Sequence, residues 1–104
     1  MGYYTQHELE VIDGDYDLIS DLRSECEEAA YALRDNGDCM EECKWYGHEK
    51  DMRAFSTKHP AALFLLSGEG EESGDLWKEY YKGGKMHRCK AVISYPDFNI
   101  RQLT

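Results

Sequence analysis

The chain has 104 residues, of which 41% are hydrophobic and 32% are charged, and its formal net charge is −9. This length fits one domain over residues 1–104. Its longest apolar run is far below the ~20 residues that cross a bilayer, and it does not begin like a secretion signal. We therefore expect a cytoplasmic protein with no membrane partner. Four cysteines are too few for a secreted disulfide scaffold and predict free thiols.

Charge is distributed unevenly along the chain. Residues 1–51 contain 15 acidic and 4 basic residues, whereas residues 52–104 contain 6 acidic and 8 basic residues. The acidic half repels phosphate, which disfavours electrostatic binding of nucleic acid. It suits docking on a basic surface. The alternative is that these acids only form a solvated surface.

The first third of the chain predicts a strand and then a helix. Residues 3–12 alternate between apolar and polar side chains, with His7 on the apolar face, which is typical of a half-buried strand. From residue 16 to 33, apolar residues recur at helical spacing, and Cys26 belongs to this stripe. The opposite face of the predicted helix is acidic and carries Asp17, Asp21, Glu25 and Glu28.

Three shorter elements are predicted in the middle of the chain. Two aromatic residues between Cys43 and Gly47 favour a short strand over residues 44–46. A second helix is predicted from His48 to about residue 58, before a proline. The run at 63–66 is apolar on both faces, which is typical of a central strand.

The clearest local signal is a hairpin around Gly83-Gly84, which joins residues 76–82 to residues 85–95. Its register pairs Tyr80 with His87 and, on the other face, Glu79 with Arg88. The opposite charges predict that the face of Glu79 meets water. The face predicted to contact the helices then carries Leu76, Tyr80, Cys89, Ala91 and Ile93.

The order of these elements predicts an α+β fold. We expect a ferredoxin-like sandwich, with a mainly antiparallel sheet of four to five strands and two helices on one of its faces.

Several stretches together resemble small proteins encoded by tailed phages and prophages that contain a ferredoxin-like domain. The resemblance covers roughly residues 1–95. It is carried by the stretches KWYGHEKDM at 44–52, LFLL at 63–66 and GEGEESGDLW at 68–77, together with Tyr80, Tyr81 and the Lys82–Lys85 turn. It implies a fold and a phage origin, and it supplies no catalytic residues. Small phage accessory proteins often bind and disable host machinery, including defence systems.

Two groups of residues have a spacing that permits a metal site. Cys39 and Cys43 are four residues apart, with His48 and His59 downstream, which is a permissible zinc spacing. The acids of the glycine-rich loop could gather a divalent cation, although they lack the calcium-loop pattern. Free thiols and a solvated loop are the competing interpretations. We expect no metal and no cofactor.

Support for catalysis is thin. A Cys–His nucleophile needs the two side chains in contact, but His87 and Cys89 would stand about 7 Å apart along one strand. Neither a Walker-type loop nor a dinucleotide fingerprint is present. We predict that the chain is not an enzyme.

The leading hypothesis is a non-enzymatic phage accessory protein. It would bind and inhibit a host protein, such as a component of a bacterial defence system (an anti-CRISPR or similar activity), through an acidic surface. Its binding residues would be the four helix acids, the loop acids and, if exposed, aromatic anchors. The members beyond the helix are Glu69, Glu71, Glu72, Asp75, Trp45, Tyr46 and Trp77.

The alternative hypothesis is binding of nucleic acid or a nucleotide through the hairpin, whose bases and aromatic residues could form a stacking platform. These residues are Trp77, Lys78, Tyr80, Tyr81, Lys82, Lys85, Arg88 and Lys90. The oligomeric state is left open, and a homodimer is among the options.

Overall fold

The computed structural model describes residues 3–104, in which α-helices cover one face of a four-stranded sheet. The strands and helices are β1 (Thr5–Asp13), α1 (Asp17–Glu25), α2 (Glu27–Ala32), α3 (His48–Lys58), β2 (Leu63–Gly70), β3 (Leu76–Lys82) and β4 (Lys85–Lys90), followed by a 3₁₀ turn (Ile100–Gln102). Among these residues, no helix is long and apolar enough to span a membrane.

The sheet is an antiparallel meander with the order β1-β2-β3-β4. The predicted α+β class and the mainly antiparallel sheet are confirmed. The ferredoxin-like arrangement is not confirmed, because a split βαβ unit has another strand between the two strands that its helix joins. Here the helices join β1 to β2, which pair directly, and β2, β3 and β4 follow one another with no helix between them.

One face of the sheet, called here the core face, packs against the helices. Three rows of paired residues cross it from β1 to β3, and all nine residues are buried. The rows are His7–Gly68–Trp77, Leu9–Leu66–Glu79 and Val11–Phe64–Tyr81. The helices contribute Ile19, Leu22, Ala29, Met52 and Phe55 to the same cluster. Along β1, β2 and β3, the buried residues of these rows alternate with residues of the opposite face, as expected for strands with one covered face.

The hairpin has the predicted register, and its two faces are the reverse of the prediction. Tyr80 pairs with His87 and Glu79 with Arg88, as expected. However, Trp77 and Glu79 lie on the core face, whereas Leu76 is 40% exposed. The prediction was wrong because it assigned the charged pair to solvent, and Glu79 instead meets a histidine from α3 in the interior.

The predicted helix over residues 16–33 is divided in two at Cys26. This residue is extended, with φ −127° and ψ 113°, and it ends α1 while it precedes α2. The change in direction brings two alanines of α2, Ala29 and Ala32, into the core with no exposed surface. Small side chains at these positions allow a close approach of the helix to the sheet.

Residues 44–46 form no strand, contrary to the prediction. The Tyr46 amide donates to the Lys44 carbonyl in a tight turn. The Trp45 side chain is buried, and its Nε1 donates to Asp51 Oδ2 at 2.8 Å. The aromatic residues therefore anchor a turn that leads into α3.

The loop between α2 and α3 covers the outer edge of β1 with its backbone. Thr5 and Cys43 exchange two backbone hydrogen bonds of 3.0 Å, and the Leu9 amide donates to the Gly37 carbonyl at 2.8 Å. Gly37 has φ +91°, and a Cβ on it would lie 1.9 Å from the Leu9 carbonyl oxygen. This close approach requires a glycine.

The C-terminal segment, residues 91–104, follows β4 and is exposed throughout. It contains one short ordered turn, in which Asn99 and Gln102 form a reciprocal capping box. Its exposed large apolar side chains are Val92, Ile93, Tyr95, Phe98, Ile100 and Leu103.

Candidate functional site

Glu79 is a buried carboxylate at the centre of the core face, with 1% of its side chain exposed. Its Oε1 accepts from the Tyr81 hydroxyl at 2.6 Å and lies 3.0 Å from His48 Nε2. Its Oε2 lies 3.2 Å from Arg88 Nε. Three strong donors therefore surround one carboxylate, which is how a buried charge is accommodated.

The protonation states in this network follow from burial and from these partners. Burial opposes ionisation of Glu79, yet the hydrogen bonds from His48 and Tyr81 leave its pKa below the ordinary value. Burial also opposes the charge on His48, but its hydrogen bonds to Glu79 and to the Trp45 carbonyl raise its pKa above the ordinary value. The geometry favours a buried imidazolium–carboxylate pair.

His48 and Arg88 also contact the Trp77 ring. The imidazole of His48 stacks on the indole with 4.8 Å between centroids and 14° between planes. The Arg88 guanidinium carbon lies 5.0 Å from the centre of the same ring, within cation–π range. Trp77, 6% exposed, therefore has little free surface for stacking bases, whereas the Arg88 side chain is 41% exposed while it contacts Glu79 and Trp77.

A small cavity of about 190 Å³ lies beside this network, and His7, Cys43, Trp45 and His48 are among its lining residues. Burial and the neighbouring His48 charge lower the pKa of His7 to about 4. The Cys43 sulfur lies 3.9 Å from His7 Nδ1, but burial raises the pKa of this thiol. A reactive cysteine needs the opposite shift, so the pair is not an activated nucleophile.

The residues whose spacing permits a zinc site are not brought together. Within residues 3–104, Cys39 and Cys43 belong to no group of three ligand atoms close enough to share an ion. One such group does exist, at Cys26, Glu28 and Asp51. Burial raises the pKa of the Cys26 thiol to about 11, and Asp51 already accepts from Trp45. This group is explained by its own hydrogen bonds.

The predicted acidic helix residues are all exposed. Asp17, Asp21 and Glu25 lie on α1 and Glu28 lies on α2. Glu25 contacts Lys58 of α3 at 3.4 Å across the surface, an exposed pair of small energetic value.

The loop acids divide into two groups. Glu69, Glu71 and Glu72 are exposed, whereas Asp75 is half-buried and accepts from the Tyr3 hydroxyl at 2.6 Å. The same hydroxyl accepts from the Glu72 amide at 3.0 Å. Asp75 therefore shapes the loop, and the three glutamates are its free charges.

Two residues that the sequence interpretation left out connect the helix acids to the loop acids. Glu28 and Glu41 both contribute to the raised pKa of Cys43. The adjacent Glu42 accepts from Gln6 at 3.0 Å, and it lines one surface depression together with Glu69 and Glu71. The pairing of Cys43 with Thr5 brings the loop to this position. It is a long-range contact for which the sequence has no local signal.

Of the three aromatic residues proposed from sequence as binding anchors, Tyr46 is exposed and the other two are buried. Trp45 is 2% exposed and Trp77 is 6% exposed, whereas Tyr46 is 67% exposed. The Tyr46 hydroxyl accepts from the Tyr3 amide at 2.9 Å, so the ring is held at the surface near the loop acids.

The basic and aromatic residues of the hairpin lie on different faces. Lys78, Tyr80, Lys82 and Lys85 share the face opposite the core, as their strand positions require. Tyr81 and Trp77 are buried on the core face. The stacking platform imagined for nucleic acid therefore has one aromatic residue, the half-buried Tyr80.

A scan against models of protein families, a search of curated proteins and a search of solved structures each found no match to this chain.

Proposed function

We propose that this chain is a non-catalytic protein-binding module whose partner presents a basic surface. The observation that carries the proposal is the C-terminal segment, in which six large apolar side chains are exposed on an irregular stretch of chain. Large apolar side chains concentrated in one exposed segment are groups that a protein partner can bury. Aromatic residues among them, Tyr95 and Phe98, are the type that anchors an interface.

The acidic surface supports the same proposal through charge. Glu28 and Glu41 lie near Cys43 at the β1 edge, Glu42 shares a surface depression with Glu69 and Glu71, and the other helix acids are exposed on α1. Such acidic groups steer a basic partner toward the surface and raise the association rate. Apolar contacts of the C-terminal segment would then supply most of the affinity.

The biological form of the proposal is a phage accessory protein that inhibits a host protein, such as a bacterial defence component. This form rests on the sequence resemblance to tailed-phage proteins and on the charge. A strongly acidic inhibitor can occupy a basic surface that normally holds nucleic acid.

The experiment is capture of partners from bacterial lysate with tagged protein, with and without nuclease, followed by binding of the purified partner. We expect a partner that survives nuclease. The triple variant Asp17→Lys/Asp21→Lys/Glu28→Lys should weaken its affinity about tenfold or more. The double variant Phe98→Ser/Ile100→Ser should abolish capture, and Phe98→Leu/Ile100→Val should retain it as the matched control.

Two outcomes would contradict this proposal. One is a purified partner whose affinity is unchanged by both the acid reversals and the Phe98→Ser/Ile100→Ser variant. The other is capture that disappears with nuclease. Far-UV circular dichroism of each variant separates loss of binding from loss of fold.

A second candidate function is binding of single-stranded nucleic acid through the hairpin, because Lys78, Lys82 and Lys85 share one exposed face with Tyr80. It predicts a steep salt dependence that is lost in the triple alanine variant of these lysines. Fluorescence anisotropy with a labelled oligonucleotide tests this candidate directly.

A further inference from the structure

The sheet face opposite the helices, called here the outer face, separates acidic from basic side chains. On the side of β1 and β2 it carries Glu8, Glu10 and Glu69, and on the side of β3 and β4 it carries Lys78, Lys82, Lys85 and His87. No salt bridge joins Glu8 or Glu10 to a base within residues 3–104. One half of this face is thus the electrostatic complement of the other half.

Apolar side chains also lie along the middle of the outer face. Leu65, 8% exposed, is directly paired with the half-buried Tyr80, and Leu76, 40% exposed, lies on β3 two rows from Tyr80, beyond Lys78. A depression of about 430 Å³ surrounds Leu76 and is bordered by Cys89 and Ala91. Apolar and charged side chains mixed in this way are the composition expected of a protein interface.

We propose that the outer face is the interface of a homodimer, in which two copies pack face to face about a two-fold axis parallel to the strands. Such an axis places β1 of one copy over β4 of the other at each side. Each acidic half then lies on a basic half, and the interface is self-complementary as two-fold symmetry requires.

The register of the sheet fixes which residues meet in this dimer. The row Glu10–Leu65–Tyr80–His87 of one copy lies over the same row of the second copy, which runs across the strands in the opposite order. This follows because rotation about the strand direction preserves position along the strands. Leu65 faces Tyr80 of the second copy in the centre, and Glu10 faces His87 of the second copy at each margin. Aligned sheets pack about 10 Å apart, which these side chains fill.

Charge also selects between the two face-to-face orientations. An axis perpendicular to the strands would place β1 on β1, so that Glu8 and Glu10 of both copies repel. The acids of α1 and α2 do not oppose the proposed dimer, because they lie on the far side of the sheet. Charges separated by more than about 8 Å are largely screened at 0.15 M salt.

The test is analytical ultracentrifugation of the full chain, whose monomer mass is 12.1 kDa, from low micromolar to sub-millimolar concentration. We expect the wild type to sediment as a dimer. The variant Glu8→Lys/Glu10→Lys makes both halves of the face basic, and Lys78→Glu/Lys85→Glu makes both halves acidic. Each should sediment as a monomer alone, and a one-to-one mixture of the two should restore the dimer.

The matched control is Asp21→Lys/Glu27→Lys, which makes the same change in net charge on the helices and should remain a dimer. A monomeric wild type would overturn the proposal, and so would two variants that stay dimeric alone or fail to associate when mixed. A dimer lost only in the Phe98→Ser/Ile100→Ser variant would assign the interface to the C-terminal segment instead. These outcomes are independent of whether a basic partner is captured.

Discussion

The two faces of the sheet are made from the same four strands and differ in whether their charged side chains are buried or exposed. On the core face, Glu79 is buried and surrounded by His48, Tyr81 and Arg88 at hydrogen-bond distance. On the outer face, Glu8 and Glu10 are exposed. The comparison shows that an alternating strand specifies which residues share a face, whereas the neighbouring helices decide which face is covered.

The largest expected difference between the faces is in packing. Phe64→Ala should lower the free energy of unfolding by about 3–5 kcal/mol, because the phenyl ring is fully buried and its removal leaves a cavity. Leu76→Ala on the outer face should cost less than about 1 kcal/mol. Urea unfolding of the two variants measures this contrast, and equal losses would contradict the assignment of faces.

The next largest difference concerns the buried carboxylate. Glu79→Ala should cost about 3 kcal/mol, since it leaves His48, Tyr81 and Arg88 without their shared partner. Glu71→Ala in the loop between β2 and β3, which removes an exposed carboxylate away from the outer face, should change stability by no more than about 0.5 kcal/mol. A Glu79→Gln variant that recovered full stability would show that the charge itself is unimportant.

The pH dependence of stability should divide between two core histidines. His7 has its pKa lowered from 6.5 to about 4 by burial and by His48, so the folded state binds fewer protons there and stability falls as the pH decreases through this range. His48 has a raised pKa, so its contribution is present below pH 6.5 and is lost as the pH rises through its folded-state pKa.

The variant His7→Gln isolates the first of these effects. It should flatten the slope of stability between pH 6.5 and pH 4. Urea unfolding at several pH values measures this slope in the wild type and in the variant. A slope that persists in His7→Gln would assign the acid sensitivity to other groups, of which Glu79 is the first to examine.

The smallest expected effect is chemical and leaves stability unchanged. Cys89 is exposed on the outer face, whereas Cys26 and Cys43 are half-buried with raised pKa values. A maleimide reagent should therefore label Cys89 first, because reactivity follows exposure and thiolate fraction. Mass spectrometry of the digested protein identifies the site, and in the proposed dimer this labelling should slow with increasing protein concentration.

Local signals in the sequence were sufficient for part of the fold. Gly83-Gly84 predicted the hairpin and its register, and the spacing of residues 48–58 predicted α3, which begins and ends as expected. Both signals depend on neighbours in the chain. The break at Cys26 was not predictable in this way, since the helical stripe continues through it and the extended backbone depends on packing against other elements.

Long-range contacts account for the errors at the candidate site. The Glu79–Arg88 pair led to the prediction that this face is exposed to solvent. No local pattern indicates that His48, 31 positions earlier, contacts Glu79. Glu41 and Glu42 were overlooked for the same reason, as the pairing of Cys43 with Thr5 brings them to the loop acids. The second strand of the hairpin was predicted to extend to residue 95, but β4 ends at Lys90 and Ile93 is exposed and does not face the helices.

The covered edge of β1 has a consequence for how these molecules can join through their backbones. Strand addition needs an unpaired edge, and the loop backbone at Gly37 and Cys43 occupies that of β1. The edge at β4 remains, flanked by Lys85 and Lys90, whose charges discourage pairing. Even if two copies paired through their β4 edges, both outer edges of the joined sheet would be β1 strands that the loop already covers. Cross-β growth in this fold therefore terminates after a single step.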